Sequence, residues 1–478
     1  MGFTMQVLLL NPPTVDNKSF IREGRCTQEQ GVWATLWPPI SLATIGAVLE
    51  RDGHVVKIVD CAAQGVSWNH LKEIIDGFST EVVIWSTGTP SASSDLSLAS
   101  FIKGHKKHIV TAVFGTHVTV LDTQCMESYP ELDFIIRNEP EITSKELVRA
   151  LQGRRGVEHV SGITFRNSTG AVVSTPPRPF VEDLDSLPFP AWHLVSIECY
   201  RLPLRGKPYL MIAPLRGCPF GCSFCTCQTY YGRKLRKRSV GSVLKEIERD
   251  ISRFDVKDFF FWSETFVIDK AYVSALCSAL IESKMDISWT ANSRVDTVDA
   301  GLLKLMAKAG CWMVSYGIES ASQRVLDEVD KGTTVEQAYE AVRYAREAGI
   351  KTVGHFILGL PGETEGSLKD TIRYAKKLGL DLAQFYCAVP FPGSRLYERA
   401  LREGWIKNAD FGCYRQDYAV MELPSVSSRL VNRYRARAYR SFYFSLTRSF
   451  RTLKLVNWKD VGRIWSSFKD FLGWWRRR

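Results

Sequence analysis

Short strands alternate with amphipathic helices through most of the chain, and this alternation restricts the fold more than any other feature. In the first 150 residues, strands are predicted over residues 5–11, 55–59, 82–86 and 109–114, and a helix over residues 40–51. Short strands separated by helices are typical of a parallel sheet with helices on both faces. The sequence therefore predicts a doubly wound α/β domain over residues 1–150.

A second series of the same kind is predicted over residues 207–400, after a connecting region of turns over residues 151–206. Its six strands are predicted over residues 209–214, 258–262, 287–291, 313–317, 352–358 and 382–388. Helices between them, such as residues 243–254 and 335–348, complete the units. Six such units form a partial or a full parallel (β/α) barrel, whose chemistry lies on the loops after the strands. Residues 401–478 remain as a C-terminal extension.

The net charge of +11 is not spread over the whole chain. Residues 429–478 hold fourteen Lys and Arg but only two acids, so the rest of the chain is close to neutral. A fold without a basic surface gives no electrostatic reason to expect a nucleic-acid partner. No apolar run reaches the roughly 20 residues of a membrane-spanning helix, and the apolar start is too short for a secretory signal. We therefore expect a cytoplasmic protein.

Three cysteines directly after the first predicted barrel strand form the most informative motif: Cys218, Cys222 and Cys225. Three thiolates on one loop bind three irons of a 4Fe-4S cluster and leave the fourth iron open to a small ligand. Structural zinc is the alternative, but zinc sites use four ligands, and a second Cys-x-x-Cys pair is missing from the sequence. The spacing favours the cluster, and the nearby Cys227 is interpreted as a bystander thiol.

With Phe224 just before its third cysteine, this loop resembles the cluster motif of the radical S-adenosylmethionine superfamily, and the resemblance extends over about residues 207–400. It implies that an electron from the cluster cleaves S-adenosylmethionine. The 5′-deoxyadenosyl radical released in this way then abstracts a hydrogen from the substrate.

Further motifs of that superfamily follow in order after the predicted strands. Ser263 and Glu264 resemble the loop that approaches the methionine amino group, although the commonest form has paired glycines there. The next two motifs are similar to the family's ribose and methionyl site and to its adenine-side site, and the residues they imply are Glu319, Ser320, Gly359 and Pro361. Residues 390–394 complete the series after the sixth strand.

The first half of the chain resembles the cobalamin-binding domain that precedes many radical S-adenosylmethionine domains. The resemblance rests on residues 11–13, 38–43, 53–60, 114–117 and 137–141. Small side chains at predicted strand ends leave space for a flat corrin, and the residues assigned to it are Thr87, Gly115, Thr116 and His117. The D-x-H-x-x-G motif, which supplies a histidine to cobalt in other cobalamin proteins, is absent, so His117 is interpreted as a hydrogen-bonding residue. A docking domain without cobalamin is the alternative.

These resemblances imply an enzyme with three cofactors: a 4Fe-4S cluster, S-adenosylmethionine and cobalamin. The implied reaction is methylation of an unactivated carbon of a small or lipid-soluble substrate, with an electron donor such as flavodoxin or ferredoxin. The alternative is an oxidative cyclisation of a tetrapyrrole-like substrate without methyl transfer. A non-catalytic cobalamin or light sensor is disfavoured, because all three cluster cysteines are present.

Apolar residues recur at intervals of three and four over residues 458–475, with Lys and Arg beside them, which predicts a basic amphipathic helix. Such a helix either packs on the barrel or lies on a membrane surface. Three tryptophans on the apolar face and the strong positive charge favour an anionic lipid surface. We therefore expect a cytoplasmic protein with peripheral membrane contact through this helix.

Overall fold

The computed structural model describes residues 4–13, 19–23, 36–153, 156–202 and 205–443, together with the backbone of residues 28–29. The strands of the first part are β1 (Gln6–Asn11), β2 (Phe20–Ile21), β3 (Gln28–Glu29), β4 (Val55–Asp60), β5 (Val82–Ser86), β6 (Val110–Phe114), β7 (Phe134–Ile136), β8 (Ile163–Arg166) and β9 (Val172–Ser174). Its helices are α1 (Ile40–Arg51), α2 (Cys61–Gln64), α3 (Trp68–Gly77), α4 (Ala92–Leu96), α5 (Leu98–His105), α6 (Thr116–Val120), α7 (Asp122–Ser128) and α8 (Pro140–Leu151).

The first sheet has seven strands in the order β4-β1-β5-β6-β7-β8-β9. The first five are mutually parallel, which confirms the predicted doubly wound sheet, and β8 and β9 extend it as antiparallel strands. The strand order reverses between β1 and β5, and ligands of such sheets bind beside the carboxyl ends of the strands at that point. The strands β8 and β9 continue this sheet past residue 150, into the region predicted as a connection. The domain boundaries therefore stay a prediction.

Alternating side chains of β1 explain why this sheet is covered on both faces. Val7 and Leu9 point into a core that contains α1 and α8 and continues into the second sheet. Leu8 and Leu10 point into a separate core beneath α3 and α5. Since all four side chains are fully buried, the four central positions of β1 are apolar on both faces, as a central strand of a parallel sheet requires.

The second part repeats the strand and helix pattern. Its strands are β10 (Tyr209–Ile212), β11 (Leu215–Arg216), β12 (Arg236–Lys237), β13 (Asp258–Phe261), β14 (Ser288–Arg294), β15 (Cys311–Glu319), β16 (Lys351–Leu358) and β17 (Leu382–Cys387). Its helices are α9 (Cys227–Tyr231), α10 (Val240–Phe254), α11 (Lys270–Glu282), α12 (Ala300–Lys308), α13 (Gln323–Glu328), α14 (Val335–Glu347), α15 (Glu365–Lys377), α16 (Arg395–Arg402) and α17 (Ser428–Tyr443).

Six of these strands form an open parallel sheet in the order β10-β13-β14-β15-β16-β17. In the described residues β10 and β17 are its two edges, so the barrel is partial rather than full. Most helices on its outer side begin at a capping side chain that accepts an N–H of the first turn: Ser239, Asp269, Asp299, Thr334, Thr364 and Ser394. These caps end each strand-to-helix loop at a defined residue.

The edge strand β17 is covered by α17, the first segment of the basic tail. Tyr434, Ala438 and Phe442 of this helix are buried, and the hydroxyl of Tyr443 donates to the carbonyl of Ala383 at 2.8 Å. Part of the basic tail therefore belongs to the fold. The amphipathic helix predicted over residues 458–475 lies outside the described residues. Within the described residues, every helix is too short or too polar to cross a bilayer.

Candidate active site

The three cysteines lie on one loop between β11 and α9, residues 217–226, which we call the cysteine loop. Gly217 opens this loop with a φ of +91°, and a Cβ atom there would stand 2.2 Å from the carbonyl oxygen of Lys234. In the middle of the loop, the N–H of Ser223 donates to the carbonyl of Val329 at 2.9 Å. Close backbone contacts therefore fix the positions of the thiols.

All three thiols line one cavity of about 330 Å³ inside the second sheet. In the described part of the chain, no three Cys, His, Asp or Glu side chains are grouped so that they could hold a single metal ion. A 4Fe-4S cluster distributes its thiolates over three separate irons, and three thiols of one loop beside a cavity suit a cluster that leaves one iron open to a ligand.

Positive side chains face the cysteine loop from β14 and from the segment after α13. The Arg294 Nη1 lies 3.6 Å from Cys222 Sγ, and its guanidinium stacks 3.7 Å from the ring centre of Phe220. Burial raises the pKa of the Cys222 thiol, and the positive charges of Lys331 and Arg294 act in the opposite direction. Both cations favour the thiolate, which is the form that binds iron.

Of the two predicted site residues at the end of β15, Glu319 lines the cavity and Ser320 does not. Glu319 lines the cavity in a left-handed conformation with a φ of +66°, and its Oε1 lies 2.6 Å from Lys331 Nζ. Gly317 leaves room for this pair, since a Cβ there would stand 2.6 Å from Glu319 Oε1 and 2.9 Å from Lys331 Nζ. Ser320 lies behind the cavity wall, where its hydroxyl is 3.3 Å from that of Thr371. The sequence did not point to Lys331.

After β13, Ser263 and Glu264 are both buried. The carboxylate of Glu264 lines the cavity, as does the ring of Phe224 from the cysteine loop. The hydroxyl of Ser263 has no hydrogen-bond partner among the described residues. Unlike Glu264, Ser263 does not line the cavity, so its hydroxyl lies beside the cavity rather than in its wall.

Gly359 and Pro361 lie on the turn after β16, beside the cavity rather than in its wall. Gly359 has a φ of +85°, and its N–H donates to Glu363 Oε2 at 2.7 Å. Burial raises the pKa of Glu363 to about 7, against the effect of the hydrogen bonds from Gly359 and Ser367. A Cβ at Gly359 would stand 3.1 Å from Val431 of α17, so this helix holds the turn from behind.

The four residues predicted to face a corrin gather at the carboxyl edge of the first sheet but do not line the cavity. Gly115 contacts Thr87 so closely that a Cβ would stand 2.0 Å from the Thr87 carbonyl oxygen, and Thr116 is buried at the start of α6. The ring of His117 packs edge-on against Phe411 at 4.8 Å. Burial lowers the pKa of His117 to about 4, so the imidazole is neutral at pH 7.

The first domain reaches the cavity through residues that have no recognisable motif: Ile21, Glu23 and Trp37. The Glu23 carboxylate accepts hydrogen bonds from the Ser41 N–H at 3.1 Å and the Ser41 hydroxyl at 2.8 Å. Burial raises the pKa of Glu23 to about 7, while these hydrogen bonds lower it. Sequence reasoning missed Glu23 because it follows the two-residue strand β2 and belongs to no motif.

The two domains are connected by four charged residues that we call the interdomain ion cluster: the buried Glu139, Glu141 and Arg236 and the mostly buried Arg216. Arg216, two residues before Cys218, has its Nη1 3.2 Å from Glu139 and its Nη2 2.7 Å from Glu141. Arg236 on the paired strand β12 lies 2.9 Å from Glu139. The carboxylates follow β7 of the first sheet, so the first domain holds the strand from which the cysteine loop begins.

Comparison with known proteins gives matches along most of the chain. Residues 212–375 match the Radical SAM superfamily, and residues 31–148 match the B12 binding domain. An uncharacterized methyltransferase of Pyrococcus horikoshii is 34% identical over 440 residues, which cover 92% of each chain. The anaerobic magnesium-protoporphyrin IX monomethyl ester cyclase of Rubrivivax gelatinosus is 33% identical over 368 residues, covering 76% of this chain and 66% of the cyclase.

A solved structure extends the likeness to the fold. The cobalamin-dependent S-adenosylmethionine radical enzyme OxsB, with aqua-cobalamin and S-adenosylmethionine bound, matches with a TM-score of 0.73 and 19% identity. The match covers 97% of this chain and 70% of OxsB. The relative arrangement of the two sheets is therefore one that a solved structure also has.

We predict that Arg216→Lys weakens both the fold and the cysteine loop. One ammonium group does not bridge two carboxylates as the guanidinium does, so a buried carboxylate loses its partner at a cost of about 3 kcal/mol. Chemical denaturation of the apoprotein and iron content after anaerobic reconstitution are the measurements. Arg399→Lys is the matched control, because its pair with Glu328 lies on the surface. Wild-type stability and iron content in Arg216→Lys would contradict the role of the ion cluster.

Proposed function

This chain belongs to the cobalamin-dependent radical S-adenosylmethionine methyltransferase family, and we propose that it methylates an unactivated carbon of a small molecule. One observation carries the proposal: the three thiols, the Glu319–Lys331 pair and Glu23 of the first domain line a single cavity. A substrate in this cavity would contact both halves of the chain. The proposed reaction uses two cofactors, one bound by each half of the chain, and therefore requires that arrangement.

The thiols and their neighbouring cations suit a 4Fe-4S cluster with one open iron, and the adjacent polar side chains suit S-adenosylmethionine. When bound, the cluster supplies the electron that cleaves S-adenosylmethionine, and cobalamin supplies the methyl group. The chain's own task is to hold the reactants together and keep water out. Three packed aromatic side chains favour the exclusion of water: Trp37 lies 5.4 Å from Phe260 and 4.9 Å from Trp262, measured between ring centres.

We assign the charged wall beside the cysteine loop to the amino-acid end of S-adenosylmethionine. We assign Glu264, which lines the cavity, to the ammonium group, and Ser263, the buried residue before it, to the same end. We assign Glu319, held by Lys331, to the ribose hydroxyls. The adenine side we assign to Gly359 and Pro361, whose turn is held by Glu363 and α17, and Ser320 supports Glu319 from behind.

We assign cobalamin to the carboxyl edge of the first sheet, with Thr87, Gly115, Thr116 and His117 beneath the corrin. Small side chains and a neutral imidazole fit a flat ligand at this edge. His117 is already committed to Phe411 and lies 3.4 Å from the Thr89 hydroxyl. Together with the missing D-x-H-x-x-G motif, these contacts support a corrin without a histidine ligand from this chain.

Oxidative cyclisation of a tetrapyrrole-like substrate is the less supported alternative. The cyclase relative matches over 66% of its own length, whereas the methyltransferase relative matches over 92% of its length. A match over nearly the whole length of both chains favours the methyltransferase.

We predict that Cys222→Ala abolishes cluster binding and the cleavage of S-adenosylmethionine. Wild type should carry about four irons per chain and release 5′-deoxyadenosine with a strong reductant, whereas two thiolates do not hold an open-site cluster. Iron analysis and chromatography of 5′-deoxyadenosine are the measurements. Cys199→Ala, a change of a half-buried thiol in the connecting region, controls for loss of a cysteine as such. Full cleavage activity in Cys222→Ala would refute the assignment.

We predict that turnover with methyl-labelled S-adenosylmethionine transfers the label to a product. Each product should consume two S-adenosylmethionine molecules, one giving the methyl group and one giving 5′-deoxyadenosine. Mass spectrometry of an anaerobic reaction with a candidate substrate extract is the measurement. An oxidised product without the label would instead favour the cyclisation.

We also propose that a flavodoxin or ferredoxin delivers the electron, and that residues 444–478 bring the enzyme to a membrane surface. Residues 444–478 contain nine Lys and Arg and two acids, together with the apolar pattern over residues 458–475. Each basic residue near an anionic bilayer contributes roughly 1 kcal/mol of attraction. A lipid-soluble substrate would then reach the cavity from the membrane.

We predict that the full chain co-sediments with anionic vesicles at low salt and less at high salt. A chain truncated after residue 443 should stay in the supernatant, because it lacks the basic segment proposed to bind lipid. This truncation keeps α17 on β17, so the fold is retained. A truncation at residue 428 would remove α17 and expose the edge of the sheet, so it is a poor comparison. If the full chain ignores anionic vesicles, the membrane proposal is wrong.

A further inference from the structure

Glu23 is a charged residue of the cavity wall to which the proposed cofactors give no role. In the described part of the chain, the charged residues that line the cavity are Glu23, Glu264, Arg294, Glu319 and Lys331. Glu264 and Glu319 are assigned to S-adenosylmethionine, and Arg294 and Lys331 face the cysteine loop. Glu23 comes from the first domain and is left for a different ligand.

The position of Glu23 is fixed by two neighbouring elements. Its carboxylate accepts hydrogen bonds from the Ser41 N–H at 3.1 Å and from the Ser41 hydroxyl at 2.8 Å. Ser41 lies in the first turn of α1, and the cap residue of this helix, Pro39, provides no side-chain hydrogen bond, so Glu23 caps the helix from another segment. The preceding residue, Arg22, donates to Asp95 from Nη2 at 2.7 Å and from Nε at 2.9 Å. The carboxylate is therefore held in place before a ligand binds.

The contacts with Ser41 leave the negative charge of Glu23 uncompensated. A carboxylate offers about four acceptor positions, and the bonds from Ser41 occupy one on each oxygen. Among the described residues no Lys, Arg or His pairs with Glu23, and the charged groups with the largest effect on its pKa are two further carboxylates, Asp60 and Glu141. Burial and these carboxylates together raise the pKa of Glu23 to about 7. A positive group of a ligand would supply the missing partner and keep Glu23 ionised.

Aromatic rings line the same cavity and favour a positive ligand too. These are the packed rings of Trp37, Phe260 and Trp262. Trp262 also lines a second, smaller pocket together with Ser41, the residue that holds Glu23, so the rings lie close to the carboxylate. The faces of aromatic rings attract cations, and a carboxylate adds a hydrogen-bond acceptor and a full negative charge. This combination suits an ammonium group.

The opposite wall offers an apolar surface for the rest of such a molecule. Among the described residues, no Asp, Glu, Lys or Arg of β16 or β17 lines the cavity. Apolar side chains of these strands do line it, among them Val353, Ile357 and Leu382. A ligand held by Glu23 would therefore rest its body on an apolar wall.

We propose that Glu23 binds a protonated amine of the substrate, and that the substrate is an amine with an apolar body. This inference rests on the proposed methyl transfer and names the substrate class of the same site. An anionic substrate is disfavoured, because both cations that line the cavity already have carboxylate partners, Asp296 for Arg294 and Glu319 for Lys331. A neutral substrate would leave the charge of Glu23 without compensation.

Three probes of similar size test the inference on the reconstituted holoenzyme, which is saturated with S-adenosylmethionine and kept without reductant. With S-adenosylmethionine bound, the probes do not compete for Glu264. The first probe is 2-(naphthalen-2-yl)ethylamine, a cation; the second is the corresponding alcohol, a neutral donor; the third is naphthalen-2-ylacetate, an anion. Titration calorimetry should give a Kd for the amine about tenfold lower than for the alcohol, because an ion pair shielded from water is stronger than a hydrogen bond from a neutral hydroxyl. The acetate should bind most weakly. Equal affinities, or no measurable binding of the amine, would overturn the inference.

Variants then assign the preference to Glu23. Glu23→Gln keeps an oxygen for the Ser41 N–H but removes the charge, so the difference between the amine and the alcohol should disappear. Glu23→Asp retains the charge and should keep part of the difference. Glu73→Gln, on the exposed face of α3, should leave it unchanged. The cobalamin content of each variant, measured by absorption, shows whether Glu23 binds the corrin instead. Loss of cobalamin from Glu23→Gln with an undiminished amine preference would overturn the assignment.

The same preparation separates this inference from the proposed function. Wild-type holoenzyme with reductant and without substrate should release 5′-deoxyadenosine from S-adenosylmethionine. If it does so but shows no preference for the amine among the naphthalene probes, only the substrate class is wrong. If it releases none while the amine binds with the expected preference, the proposed reaction fails and the binding site stands.

Discussion

The interdomain ion cluster is the contact on which the geometry of the site depends. Arg216 ends the strand before the cysteine loop, and its guanidinium is held by Glu139 and Glu141 of the first domain. Removing two carboxylates and two guanidinium groups from water is unfavourable unless all of them are paired. The four charges are paired when the two domains are docked as they are here, and this pairing ties the cysteine loop to the carboxyl edge of the first sheet.

Two parallel sheets bring the remaining groups together for a simple topological reason. The carboxyl ends of parallel strands meet at one edge, so residues far apart in sequence, such as Glu264, Glu319 and the turn at Gly359, converge after β13, β15 and β16. The first sheet places Thr87 and Gly115 at its own carboxyl edge in the same way. The cavity lies where the two domains meet and so has walls from both.

Sequence patterns predicted the elements that repeat and missed those that depend on tertiary contacts. The helix predicted over residues 40–51 and the strand over residues 82–86 have the observed bounds, since apolar periodicity and chain breaks are local signals. Glu23 and Lys331 were missed because each reaches the cavity through tertiary packing and belongs to no motif. Likewise β8 and β9 were missed, because strands of four and three residues carry too little pattern.

The division of charge within the cavity follows from what each part of the wall must bind. Polar groups of S-adenosylmethionine need polar partners, and the proposed ones, Glu264 for the amino-acid end and Glu319 for the ribose, lie beside the thiols. A radical, in contrast, abstracts hydrogen from whichever carbon is held nearest, so positional selectivity has to come from orientation of the substrate. A wall without charged side chains among the described residues holds a substrate by shape and by hydrogen bonds, without placing a further charge in a dry cavity. The uncharged wall of β16 and β17 is therefore the part of the chain in which selectivity for one carbon is expected to reside.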